Sequence, residues 1–200
     1  MKSTLIILSF FVAGVLLGIT EMLPGYFIEN DFTIYALYFL LFCVGVSLGC
    51  DDQLRGMVKK MKPKVLLVPI GTIAGTLLGS FVISFFMRGF SISDVMAVGS
   101  GFGYYSLSTV FITQYKGAEL GTIALTANIF REIFALLCAP LLVTFFGKLA
   151  PIAAGGATTM DTTLPVITRY SGKDWVFVAI LHGFVVDFSV PFLVTFFCTI

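Results

Sequence analysis

Residues 155–166 read GGATTMDTTLPV. Two glycines lead in, four threonine hydroxyls follow, a single carboxylate (Asp161) stands among them, and Pro165 comes just after. Apolar sequence flanks the stretch on both sides. A bare carboxylate in an apolar medium is expensive unless it is paired or solvated. The stretch therefore reads as the broken centre of a helix that lines a cavity, with Gly155, Gly156 and Pro165 allowing the break.

The rest of the chain supplies the apolar medium. Its 200 residues are 58% hydrophobic and only 12% charged, with a mean hydropathy of +1.03. Soluble domains are about one-quarter charged. So much apolar surface cannot all be buried in a core of this size, which makes lipid the solvent for a large part of it. The fold class is an all-α integral membrane protein in a lipid bilayer, and 22 Phe suit lipid-facing helices. A formal charge of +1 argues for no nucleic-acid partner. Cys43, Cys50, Cys138 and Cys198 lie in or beside apolar runs without C-x-x-C spacing, and read as small hydrophobes.

About seven transmembrane segments follow from hydropathy: roughly Thr4–Met22, Phe32–Gly49, Val65–Met87, Val95–Tyr115, Leu120–Phe146, Leu149–Thr168 and Trp175–Ile200. At 1.5 Å per residue each is long enough for a core of roughly 30 Å. The N-terminal run has no A-x-A cleavage pattern after it and reads as a retained first helix. The chain is expected to form one membrane domain over 1–200, with three regular spans in 1–90 and broken, polar-bearing helices in 91–200. Helix breaks fall near 99–108 and 155–166. Because lipid-exposed irregular backbone is not tolerated, both breaks must face protein or water.

Charge bias orients the chain. The loop after the second segment carries Arg55, Lys59, Lys60, Lys62 and Lys64, whereas the first loop has Glu29 and Asp31. The positive-inside rule puts the basic loop in the cytoplasm. With seven crossings the N-terminus is cytoplasmic, the C-terminus external, and Lys116, Arg169 and Lys173 lie inside. Arg88 and Lys148 then fall outside and count against the assignment.

The polar residues cluster in the last four segments. Glu132 follows Arg131 in a stretch with no helix breaker, where a charge costs at least ~2.5 kcal/mol. Asn128, four residues earlier, shares its face. Two readings stand: a proton or cation site, or a buried Arg–Glu pair that only joins helices. Asp161 is the second acid, with Thr158, Thr159, Thr162 and Thr163 around it, and its bland reading is a helix cap. The segment 99–108, GSGFGYYSLS, places Gly99, Gly101 and Gly103 before Ser106, in a spacing unlike a dinucleotide loop. Two interrupted segments in one chain point to a binding site. His182 either carries protons or bonds across helices; Asp187, five residues on, is a further candidate acid. His182 is the single histidine, so no metal site is expected. No H-E-x-x-H or G-x-S-x-G occurs, and Asp161 follows Met160 rather than the glycine of an intramembrane aspartyl protease. The chain is not read as an enzyme.

Four stretches in order carry a family resemblance: SGFGYYSLS (100–108), Asn128 with Arg131 and Glu132, GGATTMDTTLPV (155–166), and HGF (182–184) with Pro191. By these the chain resembles the lysine exporter LysO family over nearly its whole length. The resemblance implies an antiporter- or bile-acid-symporter-like fold in the cell inner membrane. It implies export of L-lysine and analogues such as thialysine, in exchange for protons and with no cofactor. It also implies two functionally important intramembrane acids, which map onto Glu132 and Asp161. Asp187 is outside the family pattern. Single-chain members carry about three further spans before the point where this chain begins. A separate short membrane protein is expected to supply them; a homodimer, or a chain that is a piece of a longer one, are the other readings.

Overall fold

The computed structural model describes residues 63–200 continuously and, before them, only Leu16, Leu17, Tyr35, Phe39, Phe42, Val46 and Cys50. The first two expected spans, the acidic loop, most of the basic loop and Cys43 lie outside the described residues. Contacts divide the chain into two compact units, Met1–Arg55 and Gly56–Ile200. The second holds the whole candidate site.

That unit is helical throughout its described length. A 3₁₀ turn, Pro63–Leu66, leads into α1, Leu67–Ser84. Then come α2, Ile92–Gly99, and α3, Tyr105–Lys116. The long helix α4, Ala118–Phe146, follows. A short α5, Ala150–Gly155, a 3₁₀ turn over Gly156–Met160, and α6, Leu164–Tyr170, come next. The last helix is α7, Val176–Thr199, entered through the 3₁₀ turn Lys173–Trp175.

Local chemistry sets these limits. Ser91 and Asp94 form a reciprocal capping box at the start of α2: Asp94 N–H donates to Ser91 Oγ (3.1 Å) and Ser91 N–H to Asp94 Oδ2 (2.9 Å). Gly117 and Gly147 stop α3 and α4 with φ of 95° and 85°, a region that costs an L side chain but not glycine. Pro151 and Pro165 lie in the first turn of α5 and α6, where proline loses no hydrogen bond. Pro165 thus starts the helix after the break.

Among the described residues three helices are long and apolar enough to cross a membrane: Leu67–Ser84, Ala118–Phe146 and Lys173–Thr199. The fourth and sixth segments behave differently from the crossings expected of them. Lys116, at the end of α3, pairs with Asp94, at the start of α2, at 3.1 Å. Both ends of the α2–α3 segment are therefore at one end of the bundle. In the same way Ile152 of α5, Ile167 of α6 and Ala179 of α7 share one buried cluster, with Val68 at the start of α1 against it. The α5–α6 segment folds back at the opposite end. These are two helical hairpins that enter from opposite ends, and their tips meet in the middle. An arm of eight residues such as α2 is only ~12 Å long, which is half a bilayer core.

Large apolar side chains on the outer faces of α1, α4 and α7, among them Leu78, Phe130, Leu137, Phe145 and Phe192, are exposed, as lipid-facing positions would be. The described cysteines are free thiols; Cys198 is buried, Cys138 intermediate and Cys50 exposed.

The Asp94–Lys116 pair is partly exposed, at 18% and 25%. Burial pushes the Asp94 carboxyl up, but its hydrogen bonds with Ser91 and the Lys116 ammonium outweigh this and hold it below its ordinary value of 3.8. A depressed carboxyl stabilises the fold above that ordinary value, and the contribution fades as pH falls through the lower folded value. Exposed pairs contribute ~0–1 kcal/mol. Lys116→Met is therefore expected to lower stability by less than ~1 kcal/mol at pH 7. The difference should shrink progressively as the pH falls below the ordinary carboxyl value of 3.8, as checked by thermal unfolding in detergent over a pH series.

Candidate functional site

The two tips touch through their backbones. Ala157 N–H, in the second tip, donates to Phe102 C=O, in the first, at 2.9 Å. Phe102 is fully buried and has a φ of 46°, and Gly103 beside it has a φ of 92°. At Gly156, with φ 64°, an added Cβ would lie 2.1 Å from the Phe102 carbonyl oxygen. The crossing therefore requires glycine at 156. Gly99 faces Ser80 of α1, Gly101 faces Asn128, and Gly155 faces Thr159 and Thr163.

Helix α4 clamps both tips. Asn128 is buried; its Oδ1 accepts from Gly103 N–H at 2.7 Å. Its Nδ2 donates to Ala124 O at 2.8 Å and lies 3.3 Å from Val98 O and 3.5 Å from Ser108 Oγ. One side chain thereby ties the end of α2 to the start of α3. Arg131 does the same for the second hairpin. Its Nε donates to Ala154 O at 3.0 Å and Nη2 to Ala153 O at 3.1 Å, while Nη1 reaches Thr76 Oγ1 of α1 at 3.1 Å. These are carbonyls at the C-terminal end of α5, where partial negative charge accumulates. The guanidinium also stands 5.8 Å from the Phe102 ring centroid. Of the alternatives for Arg131, pairing with Glu132 is the one that fails: its bonds go to backbone carbonyls and Thr76, and the Asp94–Lys116 contact is the ion pair found among the described residues. A cavity of about 290 Å³ between α1, α2 and α4 is lined by Thr76, Ser80, Val98, Asn128 and Arg131.

His182 locks the second tip to α7 and α1. It is fully buried. Thr159 Oγ1 lies 2.8 Å from Gly156 O and 2.9 Å from Ala179 O, with His182 Nδ1 at 3.1 Å. The hydroxyl has one proton, which a carbonyl takes, so Nδ1 must be the donor. Nε2 then accepts from Thr72 Oγ1 at 2.9 Å. Of the two readings of His182, this geometry favours cross-helix bonding, since both ring nitrogens are occupied.

The acids lie elsewhere around the tips. Asp161 ends the second 3₁₀ turn and is exposed; its Oδ1 accepts from Thr162 N–H at 2.5 Å, and Thr162 Oγ1 is 3.4 Å away. Thr158 Oγ1 is turned inward, 3.0 Å from Gly155 O and 3.3 Å from Thr163 Oγ1. Thr162 and Ser106 are exposed. Glu132 is half-buried. Asp187, which the sequence patterns leave without a role, is buried on α7. Its charge and that of Asp161 both reach Tyr104, at the start of the first hairpin's outgoing arm. Thr72, Thr76 and Ser108 also belong to the site. None stands out in sequence, because a threonine or serine within an apolar helix usually bonds its own turn.

The arrangement is a set of four half-helix ends that meet between the two ends of the bundle, held by an amide and a guanidinium, with the Asp161 carboxylate on the second tip. Broken helices of this kind hold ions and small charged solutes in membrane carriers. Comparison with known proteins agrees in kind. The profile of the family described as "Lysine exporter LysO" matches residues 8–198. The Escherichia coli protein named "Lysine exporter LysO" is 35% identical over 166 residues, covering 82% of this chain and 54% of that protein. A Haemophilus influenzae protein named "Putative lysine exporter" is 34% identical over 168 residues, covering 84% of this chain and 85% of that one. The chain thus spans about half the length of the first relative. No solved structure matches it.

Proposed function

The chain belongs to the lysine exporter LysO family, and from that premise we propose that it is a secondary transporter that moves L-lysine, and analogues such as thialysine, out of the cytoplasm in exchange for protons. The observation that carries the reading is the meeting of two opposed hairpin tips, through Ala157 and Phe102, with Asp161 on the second tip. In this reading the tips form the substrate site, and alternating access exposes it first to one end of the bundle and then to the other.

Lysine carries two ammonium groups and one carboxylate. A cation in a desolvated site needs a counter-charge, and Asp161 with Glu132 supplies it. A carboxylate in such a place holds either a proton or the substrate's ammonium, and competition between them is sufficient for exchange. The exposed hydroxyls of Ser106 and Thr162 offer bonds to the substrate's polar groups. Asn128, Arg131, His182, Thr158 and Thr159 hold the tips around it.

The hairpin topology also sharpens the orientation. Lys148, Arg169 and Lys173 stand at the end where the second hairpin enters, whereas Asp94 and Glu119 accompany Arg88 and Lys116 at the other. Helix α1 begins at the first of these ends, and the sequence just before it is basic. We assign that end to the cytoplasm of an inner-membrane protein, with the C-terminus external. We propose that the transport unit includes a short membrane protein or a second copy of this chain, unless the chain is itself a piece of a longer one.

The test expresses this chain in cells deficient in lysine export, alone and together with any short membrane protein encoded beside it. Resistance to thialysine and efflux of labelled lysine are expected in at least one case, with efflux stopping when the proton gradient is collapsed. No resistance and no efflux in either case would overturn the exporter reading. Efflux indifferent to the proton gradient would overturn antiport alone.

A further inference from the structure

Asp187 is the one acidic side chain that is buried among the described residues, at 8% exposure. It lies near the centre of α7, 11 residues beyond Val176. A charge at that depth costs at least ~2.5 kcal/mol unless something answers it. Nothing in the described structure does so by hydrogen bond or ion pair. The Ser189 hydroxyl two residues on is turned to Val186 O at 2.6 Å.

The surroundings locate the side chain. Gly183 lies one turn earlier on the same face of α7, and a Cβ there would meet Met160 N at 2.7 Å. That face is therefore pressed against the residue preceding Asp161. Helix α7 packs against the Gly156–Met160 turn and against both arms of the first hairpin, which brings Asp187, Asp161 and Tyr104 within range of one another's charge. The two carboxylates thus come from different elements, α7 and the second tip, and the phenol comes from the first. Among the described residues at the tips, the Arg131 guanidinium is committed to the carbonyls of Ala153 and Ala154, and both nitrogens of the neutral His182 ring to threonines.

Two carboxylates within each other's field, one of them buried, repel unless a positive charge joins them. We propose that Asp187 is a substrate-binding residue that shares one alkylammonium group with Asp161, the Tyr104 hydroxyl oxygen serving as a further acceptor. The ligand class is a basic amino acid, and the proposal rests on the export reading above. An ammonium has three donors in a tetrahedral arrangement, which suits three oxygens contributed by three elements. It also makes the tip crossing sensitive to cargo, since the bound cation would tie α7 to both hairpins.

The test is lysine counterflow in membrane vesicles containing the full transport unit, with wild type, Asp187→Asn and Asp187→Glu compared at matched membrane amounts. Asp187→Asn is expected to raise the half-saturation constant for lysine at least tenfold. Inhibition by norleucine, which lacks the side-chain ammonium, should stay the same or strengthen relative to lysine. Asp187→Glu should fall between the two. An unchanged half-saturation constant in Asp187→Asn would overturn the role of Asp187 and leave the exporter reading standing, whereas absence of lysine transport in wild type would overturn the exporter reading itself. If Asp187→Asn does not accumulate in the membrane, Asp187→Glu decides: a raised constant supports the role, an unchanged one overturns it.

Discussion

Replacing Gly156 by alanine is expected to separate the two hairpin tips and lower the stability of the fold by ~3 kcal/mol or more. Two independent costs coincide there. The backbone at Gly156 has φ 64° and ψ −128°, a conformation closed to L side chains at a cost of ~1–3 kcal/mol. The new methyl would also lie 2.1 Å from Phe102 O. The atom in the way is backbone, in a residue whose own φ is 46°, so no rotamer change relieves the contact. The tips must part, and parting them breaks the 2.9 Å bond from Ala157 N–H to Phe102 O. It also disturbs the carbonyls that Arg131 holds. A total of at least ~3 kcal/mol is expected, or roughly 6–12 °C in unfolding midpoint for a chain of this size. Gly75→Ala is the control. Gly75 lies within α1 with nothing within 4 Å of an added Cβ, so alanine should shift stability by no more than ~1 kcal/mol. Unfolding of the purified proteins in detergent, followed by intrinsic fluorescence, checks the pair. Equal midpoints for Gly156→Ala and wild type would mean that the tips do not cross as described.

The crossing explains which parts of this fold could be read in the sequence. Both helix breaks were legible, because Gly99, Gly101 and Gly103 in one and Gly155 and Gly156 in the other are local signals. Asp161 stood out by the cost of a charge among apolar residues, and the structure places it exposed on the second tip. The fold-back of each broken segment was not. Hydropathy counts apolar residues, and a hairpin with two half-length arms counts the same as one full crossing. What separates them is a pair of long-range contacts, Asp94 with Lys116 and Ile152 with Ile167. One trace of the hairpins did exist in the sequence. Seven crossings place Lys148 with the external charges, against the positive-inside rule. Folding the sixth segment back puts Lys148 at the same end as Arg169 and Lys173.

The duties of the polar residues were only half legible for a related reason. Asn128, Arg131 and His182 stand out as expensive groups in apolar helices, and expense marks them for partners without naming the partners. Arg131 sits next to Glu132 in sequence, yet about 100° apart on a helix, so the guanidinium turns to the open end of α5 instead. Asn128 shares a face with Glu132 but spends its amide on the first tip. Asp187 looked like a lone acid because the elements that surround it, the two tips, are 26 and 83 residues away in sequence at Asp161 and Tyr104. Its environment exists only once the hairpins have met.

Asp161→Asn is expected to abolish export while leaving the fold intact. The separation of the two effects follows from the geometry. Asp161 is exposed, and the bond that its side chain makes within the tip is acceptance at Oδ1 from Thr162 N–H at 2.5 Å. An asparagine Oδ1 accepts that bond equally well, so the tip keeps its turn, and unfolding should differ from wild type by less than ~0.5 kcal/mol. What is lost is the charge. Removing one member of a charge pair that the occluded substrate desolvates costs ~2–5 kcal/mol of binding, and tenfold corresponds to ~1.4 kcal/mol. Lysine efflux at low substrate should therefore fall on the order of 100-fold or more. Glu132→Gln, on α4 and half-buried, is the companion variant: loss of efflux there as well would place both acids on the transport path, whereas loss in Asp161→Asn alone would confine the cation to the hairpin tip and α7. Thialysine resistance in growing cells and labelled-lysine efflux from loaded cells give the two readings. Normal export by Asp161→Asn at normal membrane levels would remove the carboxylate of the second tip from the mechanism. The ammonium would then have to be met by Glu132 or Asp187.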